Sequence, residues 1–179
     1  VTLPSFAGSI MNYRSGEYLV GSGSRLYWIN ELGDFEVYVK DLDQIDNPTG
    51  LVMDSQGRIY VGNLSRSTIL MIDDATREIT TLAKLPNGGQ HNIGKLVIHN
   101  GVLYASHLSH NVIYSIDVQT GEYQLFAGQI STNGQTDGRR HAATFDAPNG
   151  LALDEARSEL WVAKAYGSAN YLRVISLQE

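Results

Sequence analysis

The sequence predicts an all-β protein: a β-propeller of four blades, each blade a four-stranded antiparallel sheet. Two observations lead to this prediction. A short apolar segment recurs four times along the chain, and each copy lies among further short apolar runs that are separated by turn-forming residues. The 179 residues also include 18 Gly and 10 Tyr and few long helix-forming stretches, which favours strands and turns. Four strands per unit at a period just over forty residues is the pattern of a propeller blade.

The recurring apolar segment is expected to be the second strand of each blade. Successive copies start 41, 44 and 57 residues apart, and the polar insertion Ser131–Ala142 lengthens the last interval. Before each copy comes an apolar run that opens with glycine, and turn-type residues lie between the two. The four copies are Tyr18–Ser22, Ile59–Asn63, Leu103–His107 and Leu160–Lys164, and the glycines are Gly8, Gly50, Gly94 and Gly150.

Two further strands are expected after each of these segments. The third strands are Arg25–Ile29, Thr68–Ile72, Val112–Ile116 and Leu172–Ile175, and the fourth strands are Phe35–Val39, Glu78–Leu82 and Tyr123–Phe126. The last unit lacks a fourth strand, whereas the chain opens with the β-branched stretch Val1–Leu3. We therefore expect Val1–Leu3 to complete the last blade and so to close the ring.

The whole chain is interpreted as one propeller domain, residues 1–179. The expected blades cover approximately residues 4–42, 43–86, 87–128, and 143–179 together with 1–3. Two alternatives stay open. The four blades could belong to a larger propeller, or they could form a half-ring that closes by pairing with a second copy, because an open array leaves an exposed sheet edge. Both a monomer and a self-paired dimer are therefore consistent with the sequence.

Composition narrows the classes of function. The chain contains no cysteine, which excludes thiolate catalysis, disulfides and cysteine-based zinc sites. A formal net charge of −6 argues against nucleic-acid binding, which needs a basic face. No window approaches the roughly eighteen apolar residues that a membrane-spanning helix requires, so no membrane partner is expected. An exported protein, periplasmic or extracellular, and a cytosolic protein both fit these features, so the compartment stays open.

The fourth unit resembles an NHL-type propeller repeat. The residues that carry the resemblance are Asp137-Gly138, Ala142-Ala143, Phe145, Pro148-Asn149-Gly150 and Leu160–Ala163, and a shorter version occurs at Asn47–Gly50 with Ile59–Val61. This superfamily includes scaffolds, lyases, lactonases and signalling sensors. The resemblance therefore implies a fold more than a single function.

Part of the same unit also resembles the metal-dependent gluconolactonase family. The similarity covers Pro148–Leu151 followed by Leu160–Ala163. In that family the Asn of the Pro-Asn-Gly turn binds calcium or zinc, so the resemblance implies a divalent cation as cofactor and Asn149 as its ligand. Where that family has an acidic ligand before its first inner strand, this chain has Ser5, Phe6 and Ala7.

Aligning the four units places two rings of polar residues at the mouth of the expected channel. The first ring contains Ser5, Asn47, His91 with Asn92, and Asn149, and the second contains Ser22, Asn63, His107 and Lys164. The third unit alone supplies a histidine to both rings. Imidazole is suited to general-base catalysis or metal binding near neutral pH, so His91 and His107 are the candidate catalytic residues. The alternative is that one bonds a loop backbone and the other faces solvent.

Several other residues of these rings are candidates for ligand binding. Lys164 would bind an anionic ligand, or it would merely be solvated. Asn47 and Asn149 flank proline turns, where the alternative role of an amide is to cap its own backbone. The basic cluster Asp137–His141 is expected to form the tip of the long connection, with Phe145 packing that connection between two blades. The predicted ligand-binding set is Asn47, Asn63, Asn92, Lys164 and Tyr166.

Two functions follow from these patterns. The first is a binding or interaction module that engages a small ligand or a protein at the channel mouth. The alternative is a metal-dependent hydrolase or lyase of the gluconolactonase kind, with Asn149, His91 and Asn47 around a cation. We favour the first, because the acidic ligands that the second requires do not align. The sequence also has no phosphate loop, no G-x-S-x-G elbow and no H-E-x-x-H helix.

Overall fold

The computed structural model describes residues 2–3, 5–41, 43–165 and 171–178. Within these residues the chain forms fifteen strands and no helix. All strand pairs are antiparallel, and they build four separate sheets that follow one another along the chain. The prediction of an all-β, four-bladed β-propeller is confirmed.

Each sheet is a blade, numbered here in chain order. Blade 1 contains β1 (Ala7–Arg14), β2 (Glu17–Ser22), β3 (Arg25–Asn30) and β4 (Phe35–Lys40). Blade 2 contains β5 (Pro48–Met53), β6 (Arg58–Asn63), β7 (Thr68–Asp73) and β8 (Ile79–Lys84). Blade 3 contains β9 (Ile93–His99), β10 (Val102–His107), β11 (Val112–Asp117) and β12 (Tyr123–Gly128). Blade 4 contains β13 (Pro148–Asp154), β14 (Glu159–Lys164) and β15 (Leu172–Ser176).

The last blade differs from the prediction. Its sheet has three strands within the described residues, and Thr2 and Leu3 lie in no strand, while Val1 is outside the described part of the chain. The Ser22 hydroxyl donates to the carbonyl of Ser5 at 2.9 Å, which attaches the start of the chain to blade 1. Thr2 and Leu3 therefore do not form the expected fourth strand of blade 4 in the described part of the chain, and Val1 lies outside it.

The apolar core lies between neighbouring sheets, in three clusters. Blades 1 and 2 enclose one cluster around Leu19 and Leu26, blades 2 and 3 a second around Tyr60 and Leu103, and blades 3 and 4 a third around Phe145. The inner strands pack in series, β1 on β5, β5 on β9 and β9 on β13. Both β1 and β13 are fully described, and they do not pack on each other in this way. The four blades therefore form an arc with two end faces.

Backbone hydrogen bonds also connect neighbouring blades at one rim of the arc. The segments that lead into the inner strands of blades 2 and 3 donate to the loop after the second strand of the blade before, and then accept from their own blade. These bonds run from Asn47 N to Gly23 O at 3.0 Å, Leu64 N to Asn47 O at 3.0 Å, Asn92 N to Leu64 O at 2.7 Å, and Leu108 N to Asn92 O at 2.9 Å. Because they join main-chain atoms, they form whatever the side chains are.

Candidate functional site

A cavity of about 650 Å³ lies between the four inner strands. Each inner strand contributes to its wall, through residues that include Gly8, Thr49, Lys95 and Leu151. The lining is mainly small and apolar. Of the described residues that line the cavity, Lys95 alone is charged. A concave site with few polar groups is the usual form of a small-molecule site.

The amine of Lys95 crosses from blade 3 to the two blades before it. Its Nζ donates to the carbonyl of Gly8 at 2.6 Å and to the carbonyl of Thr49 at 2.8 Å. Burial lowers the pKa of this amine below its ordinary value of 10.5. An ammonium group has three N–H donors, so two are used by these carbonyls and one is available to a further acceptor.

Lys95 was not among the predicted site residues. The signal in the sequence was a single charged residue within the otherwise apolar run Gly94–Val97. The direction of its side chain depends on a register shift in the pairing of β9 and β10, between Ala105 and His107. Such a bulge changes which side chain faces the axis, and the sequence pattern does not reveal it.

The wall of the cavity is fixed by hydroxyl groups that join one blade to the next. In each case a serine or threonine donates to a main-chain carbonyl at the start of the following inner strand. These bonds are Ser9 Oγ to Pro48 O, Thr49 Oγ1 to Ile93 O, and Ser106 Oγ to Asn149 O, each 2.7 Å long. The inner strands therefore approach each other closely and hold the cavity in one shape.

The residues of the first predicted ring hold loops together. Asn92 is fully buried, and its amide accepts from Gly88 N and donates to Gly89 O, both at 2.9 Å. Asn47 has a positive φ of 49° and donates from its side chain to Ser65 Oγ at 3.0 Å. Both bonds of the Asn47 amide go to side chains, of Asp46 and Ser65, and not to the backbone cap that the sequence offered as its alternative role. Ligand binding by Asn47 stays a prediction.

The remaining members of the first ring do not meet at one point. The side chain of His91 is exposed, while its carbonyl accepts from the hydroxyl of Ser109 at 2.5 Å. Asn149 is partly buried, and its carbonyl accepts from Ser106. Among the described residues no group of three or more His, Asp or Glu side chains could hold a metal ion. Metal binding by Asn149 stays a prediction.

The second predicted ring is a set of ties between each blade and the segment that precedes it. Every member lies at the end of a second strand and reaches back to that segment. The pairs are Ser22 with Ser5 at 2.9 Å, Asn63 Nδ2 with the carbonyl of Gln44 at 2.8 Å, His107 Nε2 with the carbonyl of Pro86 at 3.0 Å, and Lys164 with the carboxylate of Asp146. Four different residue types therefore make the same kind of connection.

His107 is fully buried in a small aromatic cluster. Its ring stacks on His110 with centroids 4.2 Å apart, and Tyr114 meets it edge-on. The Nε2 hydrogen is donated to Pro86 O, and Nδ1 accepts from the backbone N–H of His110 at 3.2 Å. Burial, and next the charge of His110, lowers the pKa of His107 to about 4. Both ring nitrogens are thus occupied by backbone groups.

The predicted residues do not converge on the cavity. None of those that the structure describes is part of its lining, and Tyr166 lies outside the described residues. His91 is exposed and His107 is buried, so the two candidate catalytic residues do not share one surface. A catalytic role for either histidine stays a prediction.

A second cavity, of about 810 Å³, lies beside the long connection. Arg139, Arg140 and Arg173 contribute to its wall. The guanidinium of Arg173 lies 4.8 Å from the ring centre of Phe145 and donates to Asp137 at 2.6 Å. Phe145 is buried in the cluster between blades 3 and 4, as the sequence predicted.

The four sheets and the cavity between their inner strands define a β-propeller. The chain belongs to the family described as a repeat of unknown function (DUF6923), which matches residues 28–159. No curated protein matches the sequence. The part of the chain that the structure describes contains no helix long and apolar enough to cross a membrane.

Solved structures similar to this chain are also propellers or propeller-like proteins. An auxiliary nutrient binding protein from Bacteroides ovatus has a TM-score of 0.79 and 17% identity, covering 99% of this chain and 46% of that one. An auxiliary nutrient binding protein from Bacteroides thetaiotaomicron has a TM-score of 0.76 and 14% identity, with coverage of 96% and 45%. Virginiamycin B lyase from Staphylococcus aureus has a TM-score of 0.64 and 15% identity, with coverage of 99% and 58%. The chain therefore spans less than half the length of the two nutrient-binding proteins, and at these identities the likeness shows the fold alone.

Proposed function

We propose that this protein is a binding module that takes a small organic anion into the cavity between its inner strands. The observation that carries the proposal is the amine of Lys95, the one charged group among the described residues of an otherwise uncharged wall. Two carbonyl oxygens orient this amine and leave one N–H for a ligand. A carboxylate is the natural acceptor, since charge-assisted hydrogen bonds are stronger than neutral ones.

Two further features support binding at this place. The hydroxyl-to-carbonyl bonds between the inner strands hold the wall in one shape, and a preformed site loses less entropy when a ligand binds. The similarity to proteins described as nutrient binding agrees with a binding role. Partial burial of the amine also strengthens its attraction to an anion, because the local dielectric is lower than that of water.

The proposal is tested with a matched pair of probes, D-glucuronate and D-glucose, which differ at C6 in a carboxylate against a hydroxymethyl group. Isothermal titration calorimetry is expected to detect glucuronate and to give at least about tenfold weaker binding for glucose, since a charge-assisted hydrogen bond contributes roughly 1.5–3 kcal/mol. The variant Lys95→Met should lose this preference. The control Lys40→Met changes an exposed lysine on β4 and should bind glucuronate as the wild type does.

The outcome that contradicts the proposal is specific. Equal affinities for the two probes, with no effect of Lys95→Met, would show that the amine does not contact a ligand. Because Lys95 also connects three blades, thermal unfolding of Lys95→Met is measured beside the titration. A folded variant that has lost glucuronate binding supports the proposal.

A further inference from the structure

One apolar residue at the inner edge of blade 1 is exposed although the equivalent residues of the next two blades are buried. The cross-strand register places Ile10, Leu51 and Leu96 at the same position of blades 1, 2 and 3. Leu51 and Leu96 are 8% and 5% exposed, because the preceding blade covers them. Ile10 is 67% exposed, whereas Val20 and Tyr27, its cross-strand neighbours on the same face, are 4% and 3% exposed, so the uncovered part of this face is the edge around Ile10. The face of blade 1 that carries Ile10 is called the leading end face below.

The opposite end of the arc shows the same contrast. Leu26, Ile69, Ile113 and Leu172 occupy one position in the third strands of the four blades, since they pair with Gly21, Gly62, Ser106 and Ala163. The first three are 0% exposed, because the following blade covers them. Leu172 is 68% exposed, and Val174 on the same strand is 46% exposed. This face of blade 4 is called the trailing end face.

Inside the chain these two positions meet at every joint between blades. A residue at the position of Leu172 always shares a core cluster with a residue at the position of Ile10. The pairs are Leu26 with Leu51 between blades 1 and 2, Ile69 with Leu96 between blades 2 and 3, and Ile113 with Leu151 between blades 3 and 4. The apolar surface of the leading end face is therefore complementary to the apolar surface of the trailing end face.

The two end faces of a single chain do not cover each other, because β1 and β13 do not pack as neighbouring inner strands do. We propose that a second copy of this chain covers both. Blade 4 of each copy packs on blade 1 of the other, and the joint therefore occurs twice about a two-fold axis. The result is a closed ring of eight blades in which all four end faces are buried. In a two-fold dimer every end face is covered by the other copy, whereas head-to-tail contacts that do not close would continue into a filament.

The first test is the mass of the full chain in solution, measured by size-exclusion chromatography with light scattering. The expected mass is twice the 19.7 kDa of one chain. The variants Ile10→Lys and Leu172→Glu each place a charge in both joints, so each is expected to be monomeric. Both residues are exposed in the single chain, so circular dichroism should show an unchanged fold. The control Leu32→Lys alters a residue that is 88% exposed in the turn between β3 and β4, and it should remain dimeric.

The second test mixes the two monomeric variants. In a mixed dimer of Ile10→Lys with Leu172→Glu, one joint has wild-type residues on both sides, and the other brings the new ammonium and carboxylate together. The mixture is therefore expected to associate at least about tenfold more tightly than either variant alone.

Four outcomes would overturn the proposal. A monomeric wild type would mean that other blades or another partner cover the end faces. A dimer that survives both substitutions, or a mixture that does not associate, would mean that the copies meet through a different surface or through like faces. A mass that keeps growing with concentration would mean that the ring does not close.

Discussion

The imidazole of His107 is held as a neutral donor and acceptor by two backbone groups, Pro86 O and His110 N. The equivalent positions of the other blades are occupied by a serine, an asparagine and a lysine, which make the same type of connection. What this position requires is a donor long enough to reach the segment before the blade. The residue type decides something else, which is how the connection responds to pH.

The first prediction concerns acid stability. Above pH 6.5 the imidazole of His107 is neutral in both the folded and the unfolded chain, so its contribution does not change with pH. Between pH 6.5 and the folded-state pKa of about 4, only the unfolded chain takes up the proton, so the free energy of unfolding falls as the pH falls. The slope from this residue approaches about 1.4 kcal/mol per pH unit. Burial lowers the pKa of His110 as well, which adds to the effect in the same direction.

The substitution His107→Asn removes the titratable group and keeps a hydrogen-bond donor, because Asn63 makes the equivalent bond in blade 2. Urea unfolding at pH 7.5 and pH 5 should show a smaller loss of stability at pH 5 than in the wild type. The control is His91→Asn, which changes an exposed histidine and should leave the pH dependence of the unfolding free energy as in the wild type. An identical pH profile for His107→Asn and wild type would contradict the prediction.

The inner strands approach each other so closely that glycine is needed where they meet. A Cβ on Gly50 would lie 2.6 Å from Leu96 Cγ and 3.0 Å from both Gly94 O and Leu96 N. A Cβ on Gly94 would lie 2.6 Å from Asn149 Oδ1. The recurrent glycine at the start of these strands, which first indicated the repeat, therefore has a packing reason at these two positions.

The second prediction follows for Gly50→Ala. Two of the atoms in its way belong to the backbone of β9 and cannot move aside, so the free energy of unfolding should fall by roughly 1–3 kcal/mol, as overpacking does elsewhere. Urea unfolding measures it. The control is Gly138→Ala in the exposed insertion, where the nearest atom is Ala142 Cβ at 3.3 Å and a change below about 0.5 kcal/mol is expected. Equal effects of the two substitutions would contradict the packing argument.

At the scale of the whole molecule, each blade depends on the blades beside it. The three core clusters lie between blades, so a blade at either end of the arc packs against a neighbour on only one of its two faces. In repeat architectures of this kind, stability is close to a sum of unit terms and nearest-neighbour terms. The proposed second copy adds two such neighbour terms to the assembly.

The third prediction uses this dependence. If a dimer forms, the melting temperature of the wild type should rise by a few degrees for each tenfold increase in protein concentration, because association stabilises the folded chain by mass action. The melting temperature of Ile10→Lys should not depend on concentration. Differential scanning calorimetry at several concentrations makes the comparison. A wild-type melting temperature that is constant over a hundredfold range would contradict the prediction.

The repeat made the fold predictable. Most strands lie within a residue or two of their expected bounds, and β7, expected at Thr68–Ile72, spans Thr68–Asp73. Four copies of one pattern give the same information four times, so turns and strands could be placed even where a single copy is weak. Completion of blade 4 by Val1–Leu3 could not be predicted in this way, because this short stretch occurs once and has no second copy to compare with.

The candidate site was less predictable than the fold. Polar residues at the ends of strands could equally face a ligand or tie loops, and for Asn63 and His107 the burial and backbone partners appear only in three dimensions. Lys95 was missed because alternation along a strand places a side chain only when the register is regular. A bulge near the start of β9, opposite the end of β10, removes that regularity.

The main-chain bonds that run through Asn47, Leu64 and Asn92 have a mechanical consequence. The bonds from Asn47 N to Gly23 O and from Asn92 N to Leu64 O each join a blade to the one before it, so a force that pulls on the two termini would load the joints between blades in series. We expect the blades to unfold one at a time, starting from an end of the arc. Each unfolding event would extend the chain by about forty residues, the length of one blade, before the next joint between blades breaks.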